Sequence, residues 1–207
     1  MMMIRAARFA PLLAALLLSA CVVTTPTKKP SPEPVADDTL ERQSAREAQL
    51  AMHAAWGLQG RLAVSDAHDS GSGSLEWLQE GSAFRFSVHA PVTGKTWVLT
   101  GDAERVRLEG LRKRPINGND AAQLLERELG WHVPVVQLAS WVRGARAPGD
   151  ARVSFRDDGL PAQIDQDGWS VQYLDYDTST DPALPNKVFA SKGDTKVRLT
   201  IREWALQ

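Results

Sequence analysis

Gly94-Lys95-Thr96 has the ending of a phosphate-binding loop, the most chemically suggestive triplet in the chain. The first glycine of G-x-x-x-x-G-K-[ST] falls on His89, however, and Pro91 has no N–H to offer a phosphate. The triplet also leaves one alternating apolar–polar run and enters another, so no helix N-terminus stands behind it. His53, His68, His89 and His132 show no metal-ligand spacing such as H-x-x-x-H. Asp165-Gln166-Asp167-Gly168 lacks the later acidic positions of a calcium loop and reads as an Asp-Gly turn. No G-x-S-x-G occurs, and Ser140 sits on a helical segment with no base in reach. Arg112-Lys113-Arg114 before Pro115 reads as a solvated turn, with contact to phospholipid headgroups as the alternative. These residues offer little to an enzyme, and no metal or other cofactor is expected.

Cys21 is the only cysteine. Before it stand Arg5 and Arg8, an apolar run from Phe9 to Leu18, and the small residues Ser19 and Ala20. A positive start, a short apolar core and small residues at the end describe a secretory signal peptide over residues 1–20. The run is shorter than the ~20 apolar residues that span a bilayer. Leu18-Ser19-Ala20-Cys21 has the form of a lipobox, in which cleavage precedes a cysteine carrying thioether-linked diacylglycerol. Cys21 is the expected lipidation site, and each buried acyl CH₂ contributes about 0.8 kcal/mol to anchoring. Val22, rather than Asp, follows it, which by the enterobacterial sorting rule favours the outer membrane.

The formal net charge of −1 becomes about −3 once Arg5 and Arg8 are removed, so global charge does not invite nucleic acid. Residues 21–39, rich in Pro, Thr, Ser and charge, cannot form a core and read as a lipidated tether. Residues 40–207 are long enough for one domain with a sizeable core. Its opening segment, Leu40 to Gly57, predicts a helix with a stripe of Leu40, Gln43, Glu47, Leu50 and Ala54, Met52, Ala55 and Trp56 adding apolar bulk, and Gly57 as C-cap.

From Leu58 onward, period-two alternation dominates the chain. Strands are predicted over 58–66, around Leu75 and Trp77 after a Ser70–Gly73 turn, and over 105–111. Between the last two lies a hairpin with Phe84, Phe86 and Val88 on one face of its first strand and Trp97 and Leu99 on one face of its second. Pro91, Val92, Thr93 and Gly94 form the turn: Pro91 starts it, Gly94 supplies positive φ, and Val92 is left at the tip with little of its own domain to pack on. Two short helices interrupt the strands. Asn119 or Asp120 caps Ala121–Leu129, with Ala121, Leu124, Leu125 and Leu129 inward, and Gly130 ends it. Pro134 opens the second, which carries Leu138, Trp141 and Val142 inward and closes at Gly144. Further strands over 152–156, 161–165, 169–175, 187–191 and 196–203 bring the total to ten or eleven.

So many strands with one apolar face and so few helical residues predict a mainly β fold with a helical lid. The sheet is an incomplete antiparallel barrel of about eleven strands, curled so that it can enclose a hydrophobic cavity. Seven tryptophans spread over nearly every element serve its core, one or two of them lining the cavity. Phe84, Phe86, Val88, Trp97, Leu99, Leu124, Leu125, Leu138 and Trp141 are the candidate lining residues, although alternation alone does not fix which face is concave.

The lipobox and tether precede Trp56-Gly-Leu-Gln-Gly-Arg61-Leu-Ala-Val64, Ala90-Pro91-Val92, the Asp177–Pro185 loop with its Asp-Pro-Ala-Leu-Pro ending, and Lys196-Val-Arg-Leu-Thr-Ile-Arg-Glu-Trp204. In that order these segments resemble the LolB family of outer-membrane lipoprotein receptors, over essentially the whole mature chain. The resemblance implies an open barrel with a helical lid over an apolar cavity. It implies a monomer anchored on the periplasmic side of the outer membrane that accepts acylated lipoproteins from the periplasmic carrier LolA. It also implies a protruding apolar residue that helps deliver cargo into outer-membrane phospholipid. That residue matches Val92, where Val replaces the usual longer Leu and the turn through Thr96 is one residue longer. The other class open to the sequence is a lipid-anchored structural or assembly subunit of an outer-membrane complex with an ordinary packed core, and an anchored hydrolase is weaker still.

Overall fold

The computed structural model describes residues 37–206, within a compact unit running from Val35 to Gln207. The signal peptide, Cys21 and most of the tether lie outside the described residues. Alternation along the chain becomes alternation of burial. In β1 (Ala55–Ser65), Leu58, Leu62 and Val64 are buried while Gln59 and Arg61 face solvent. β2 (Ser70–Glu80), β3 (Ala83–Ala90), β4 (Lys95–Gly101), β5 (Val106–Glu109) and β6 (Ile116–Gly118) come next as an antiparallel meander. After α2 (Ala121–Leu129) and α3 (Val135–Trp141) comes a second meander of β7 (Ala151–Phe155), β8 (Pro161–Gln166), β9 (Trp169–Asp177), β10 (Leu184–Lys192) and β11 (Thr195–Leu206). β11 returns to pair with β1, giving one eleven-stranded antiparallel sheet in the order β6-β5-β4-β3-β2-β1-β11-β10-β9-β8-β7. The expected open, mainly β architecture is the one observed.

The two edges of this sheet, β6 and β7, are joined through α2 and α3, so the helical segment crosses the apolar face. Asp120 caps α2 by accepting from the Gln123 backbone N–H at 2.9 Å, and Gly130 ends it in the left-handed region at φ 71°. Trp131, after α2, meets Trp97 of β4, and Trp141 of α3 meets Trp169 of β9, so the lid touches both halves of the sheet. The buried Gln166 side chain fixes the α3 end. Its Oε1 accepts from Trp141 Nε1 and the Ala147 N–H, both at 2.9 Å, and its Nε2 donates to the Ala147 carbonyl at 2.7 Å.

Local expectations fail where distant packing overrides them. The first helix, α1, runs Asp37–Met52, starting earlier and stopping sooner than the composition suggests. Asp38 at its first turn favours the positive helix end and pairs with Arg42 at 2.7 Å. Trp56 and Gly57 instead belong to β1, where the indole is 3 % exposed, and Met52 is left mostly exposed. Ser70–Gly73 is not a turn but the start of β2. The three-residue β6 is too short to register as alternation.

Candidate functional site

The hairpin of β3 and β4 has the register its alternation predicts. Phe86 stands opposite Leu99 and Val88 opposite Trp97, all four buried, while Phe84 is half-buried opposite Gly101. Beyond the last pair, Ala90 and Lys95, the turn Pro91–Gly94 stands in solvent. Gly94 has φ 64°, the positive value the turn needs. Val92 is 96 % exposed. Gly94-Lys95-Thr96 closes this hairpin and enters β4, and Thr96 Oγ1 lies 2.9 Å from His89 Nδ1.

Eight of the nine candidate lining residues, all but Phe84, are no more than 4 % exposed and belong to one core cluster. Two of them, Phe86 and Trp97, belong to a row of rings that crosses five strands and ends in the lid. Trp204, Trp56, Trp77, Phe86, Trp97 and Trp131 succeed one another with centroid separations of 5.9, 5.3, 5.1, 5.8 and 5.6 Å. Four of these contacts are tilted or edge-to-face, and the Phe86–Trp97 pair is stacked with 25° between the ring planes. The sequence shows the tryptophans but not their contiguity, because only the strand register brings them into line.

Phe84 instead lines a cleft of ≈520 Å³ between the end of α1, β1, the β2–β3 and β4–β5 turns and α3. Ala54, Trp56, Val135, Val136 and Ala139 supply much of its apolar wall, and Arg143 one of its charges. No sequence signal points to Arg143. Its Nη1 donates to the carbonyls of Leu50 at 2.9 Å and His53 at 3.4 Å, and its guanidinium lies 5.1 Å from the centroid of the Trp56 ring. Burial lowers its pKa, and the nearby Arg46 lowers it further. The cleft lies at the end of the sheet opposite Val92, since β1 and β4 run in opposite senses between the two ends.

The family model for "Outer membrane lipoprotein LolB" matches residues 54–204. Outer-membrane lipoprotein LolB from Xanthomonas campestris pv. campestris (strain B100) is 42 % identical over 178 residues, covering 83 % of this chain and 82 % of the relative. Its counterpart from Xanthomonas euvesicatoria pv. vesicatoria (strain 85-10) is 40 % identical over 199 residues and covers 91 % of both chains. Among solved structures, a LolA superfamily protein from Nitrosomonas europaea aligns with a TM-score of 0.53 at 12 % identity, over 84 % of this chain and 94 % of that one, a likeness of fold alone. The chain belongs to the LolB family, as a lipid-anchored lipoprotein of the outer membrane.

Proposed function

We propose that this chain is a receptor that takes acylated lipoproteins from a periplasmic carrier of the LolA type and inserts them into the outer membrane. Family membership supports the reading, and the observation that carries it is Val92: an apolar side chain, 96 % exposed, held on a protruding turn of a hairpin whose inner face is apolar core. No bond is made or broken. An acyl chain gains about 0.8 kcal/mol per CH₂ on leaving water, so it passes between apolar surfaces without being solvated. The ≈520 Å³ cleft falls in the ~300–1,000 Å³ range of ligand sites. Trp56 of the cleft wall shares one core cluster with Phe86, Leu99, Leu138 and Trp141, the interior that acyl chains would reach from it. Direction comes from a gradient of affinity: the receptor holds acyl chains more favourably than the carrier and less favourably than the bilayer.

Purified carrier loaded with acylated lipoprotein, mixed with this protein, should lose its cargo to it. Continued retention by the carrier would overturn the receptor reading. Val92→Glu should leave acceptance intact, because the cleft lies at the far end of the hairpin, but impair transfer from receptor to vesicles. Normal delivery by that variant would remove Val92 from the mechanism. A second reading, a structural or assembly subunit, is favoured by the tight packing of the eight interior residues, and carrier retention of cargo would leave it standing.

A further inference from the structure

Arg112-Lys113-Arg114 reads in sequence as a solvated charge run, and the sheet gives it a position. β4 pairs with β3 on one side, Ala90 opposite Lys95, and with β5 on the other, Val98 opposite Glu109. β5 and β6 are themselves paired with Leu108 opposite Ile116. The Pro91–Gly94 turn and the loop over residues 110–115 therefore lie at the same end of neighbouring strands. Gly110 presses its backbone against Thr96 and Trp97, where a Cβ would lie 2.9 Å from the Trp97 Cα, so the loop is set against the base of the hairpin. Arg112 reaches the buried carboxylate of Glu128 at 2.7 Å and ties the loop to the end of α2. Lys95, Lys113 and Arg114 are exposed and form no ion pair among the described residues.

This concentration of cations runs against a chain whose formal net charge is −1. The other turns at the same end are mixed: Asp66 and Asp69 follow β1 and Asp167 follows β8, while Asp194 after β10 is flanked by the exposed Lys192 and Lys196, and none of these turns carries an exposed apolar tip like Val92. We infer that the β3–β4 turn and the β5–β6 loop form one docking surface for an anionic phospholipid bilayer, Val92 entering the acyl region while Lys95, Lys113 and Arg114 meet headgroup phosphates. A lone apolar tip beside flexible cations matches hydrocarbon beneath a negatively charged layer. The inference rests on the reading of Val92 as the membrane-delivery residue, and it adds the lipid charge that the contact requires.

The test uses the Val35–Gln207 domain, which holds its own core, in co-sedimentation with vesicles of phosphatidylethanolamine alone or with phosphatidylglycerol added. Wild type should prefer the anionic vesicles, and the preference should fade as salt rises. Lys113→Ser/Arg114→Ser should weaken anionic-vesicle binding by roughly fivefold per cation, the equivalent of ~1 kcal/mol each. It should keep both its melting temperature and its weak binding to the neutral vesicles. Equal binding to both vesicle types, or no loss in the double variant, would overturn the inference. So would loss of carrier-to-receptor transfer in solution with vesicle binding intact, which would assign the cations to an acidic protein surface. A domain that accepts cargo but shows no preference for anionic lipid defeats only this inference. One that binds anionic vesicles yet accepts no cargo defeats only the receptor reading.

Discussion

Gly71 and Trp131 show how much one missing side chain can specify. A Cβ at position 71 would lie 2.5 Å from Cζ2 of the Trp131 indole, which caps the row of aromatic rings and joins the lid to β2 and β4. Gly71→Val should expel that ring, lowering stability by about 1–3 kcal/mol as overpacking does and shifting tryptophan emission toward that of exposed indole. Unchanged melting and emission would show that the ring has another seat. In sequence, Ser70-Gly71-Ser72-Gly73 carries the signature of a turn, since glycines punctuate chains far more often than they make room for a partner sixty residues away. Gln166 is hidden in the same way: it reads as part of an Asp-Gly turn, and its three buried hydrogen bonds exist only once α3 and the 145–147 segment are in place. Val92, by contrast, is legible, because a hairpin tip is a local feature.

At the scale of elements, α1 is held by charge as much as by apolar contact. Leu50 is buried with Ala145 and Leu184, but Arg46 is only 9 % exposed and donates to the carbonyls of Gly144, Arg143 and Ala183 at 2.8, 2.8 and 2.6 Å. Burial lowers its pKa, with Tyr176, Tyr173 and Glu47 opposing. Glu47 takes the side chain and backbone N–H of Arg146, the closest contact being 2.7 Å, and Gln43 adds a hydrogen bond at 2.8 Å. Burial pushes the Glu47 carboxyl up, but these bonds outweigh it and hold its pKa below the ordinary 4.5. A lowered carboxylate pKa contributes stability that is present above about pH 4.5 and is lost as pH falls through the folded value. Melting temperature should therefore fall on acidification below that point, and Glu47→Gln should flatten the fall while lowering stability at neutral pH. Parallel profiles would mean that other carboxylates govern the acid limb. The helical stripe identifies Gln43 and Leu50 correctly and misses Arg46, because a buried arginine is legible only beside the carbonyls that receive it.

For the whole molecule, the strands are readable because one side of a single sheet is apolar throughout, and period-two alternation registers that directly. The strand order comes less from pattern than from topology, and the cleft from neither, since its wall is assembled from four separate stretches of chain. The centre of the sheet is the pair made by its first and last strands, with Ser65 opposite Lys196 and Trp56 opposite Leu206. Removing Thr195–Leu206 should leave two half-sheets with no direct pairing between β1 and β10, and thermal scans should lose the cooperative transition. A sharp transition in that truncation would show that the halves are joined mainly through the lid. The pairing of β1 with β11 also sets an order of events in the cell. A chain delivered across the inner membrane from its N-terminal end brings β1 out early, with an apolar face and an unpaired row of backbone donors and acceptors. Its partner strand, twelve residues long, is the last element to emerge. Until then the first meander presents an unpaired apolar edge, so the interval before β11 arrives is when the chain is most exposed to aggregation.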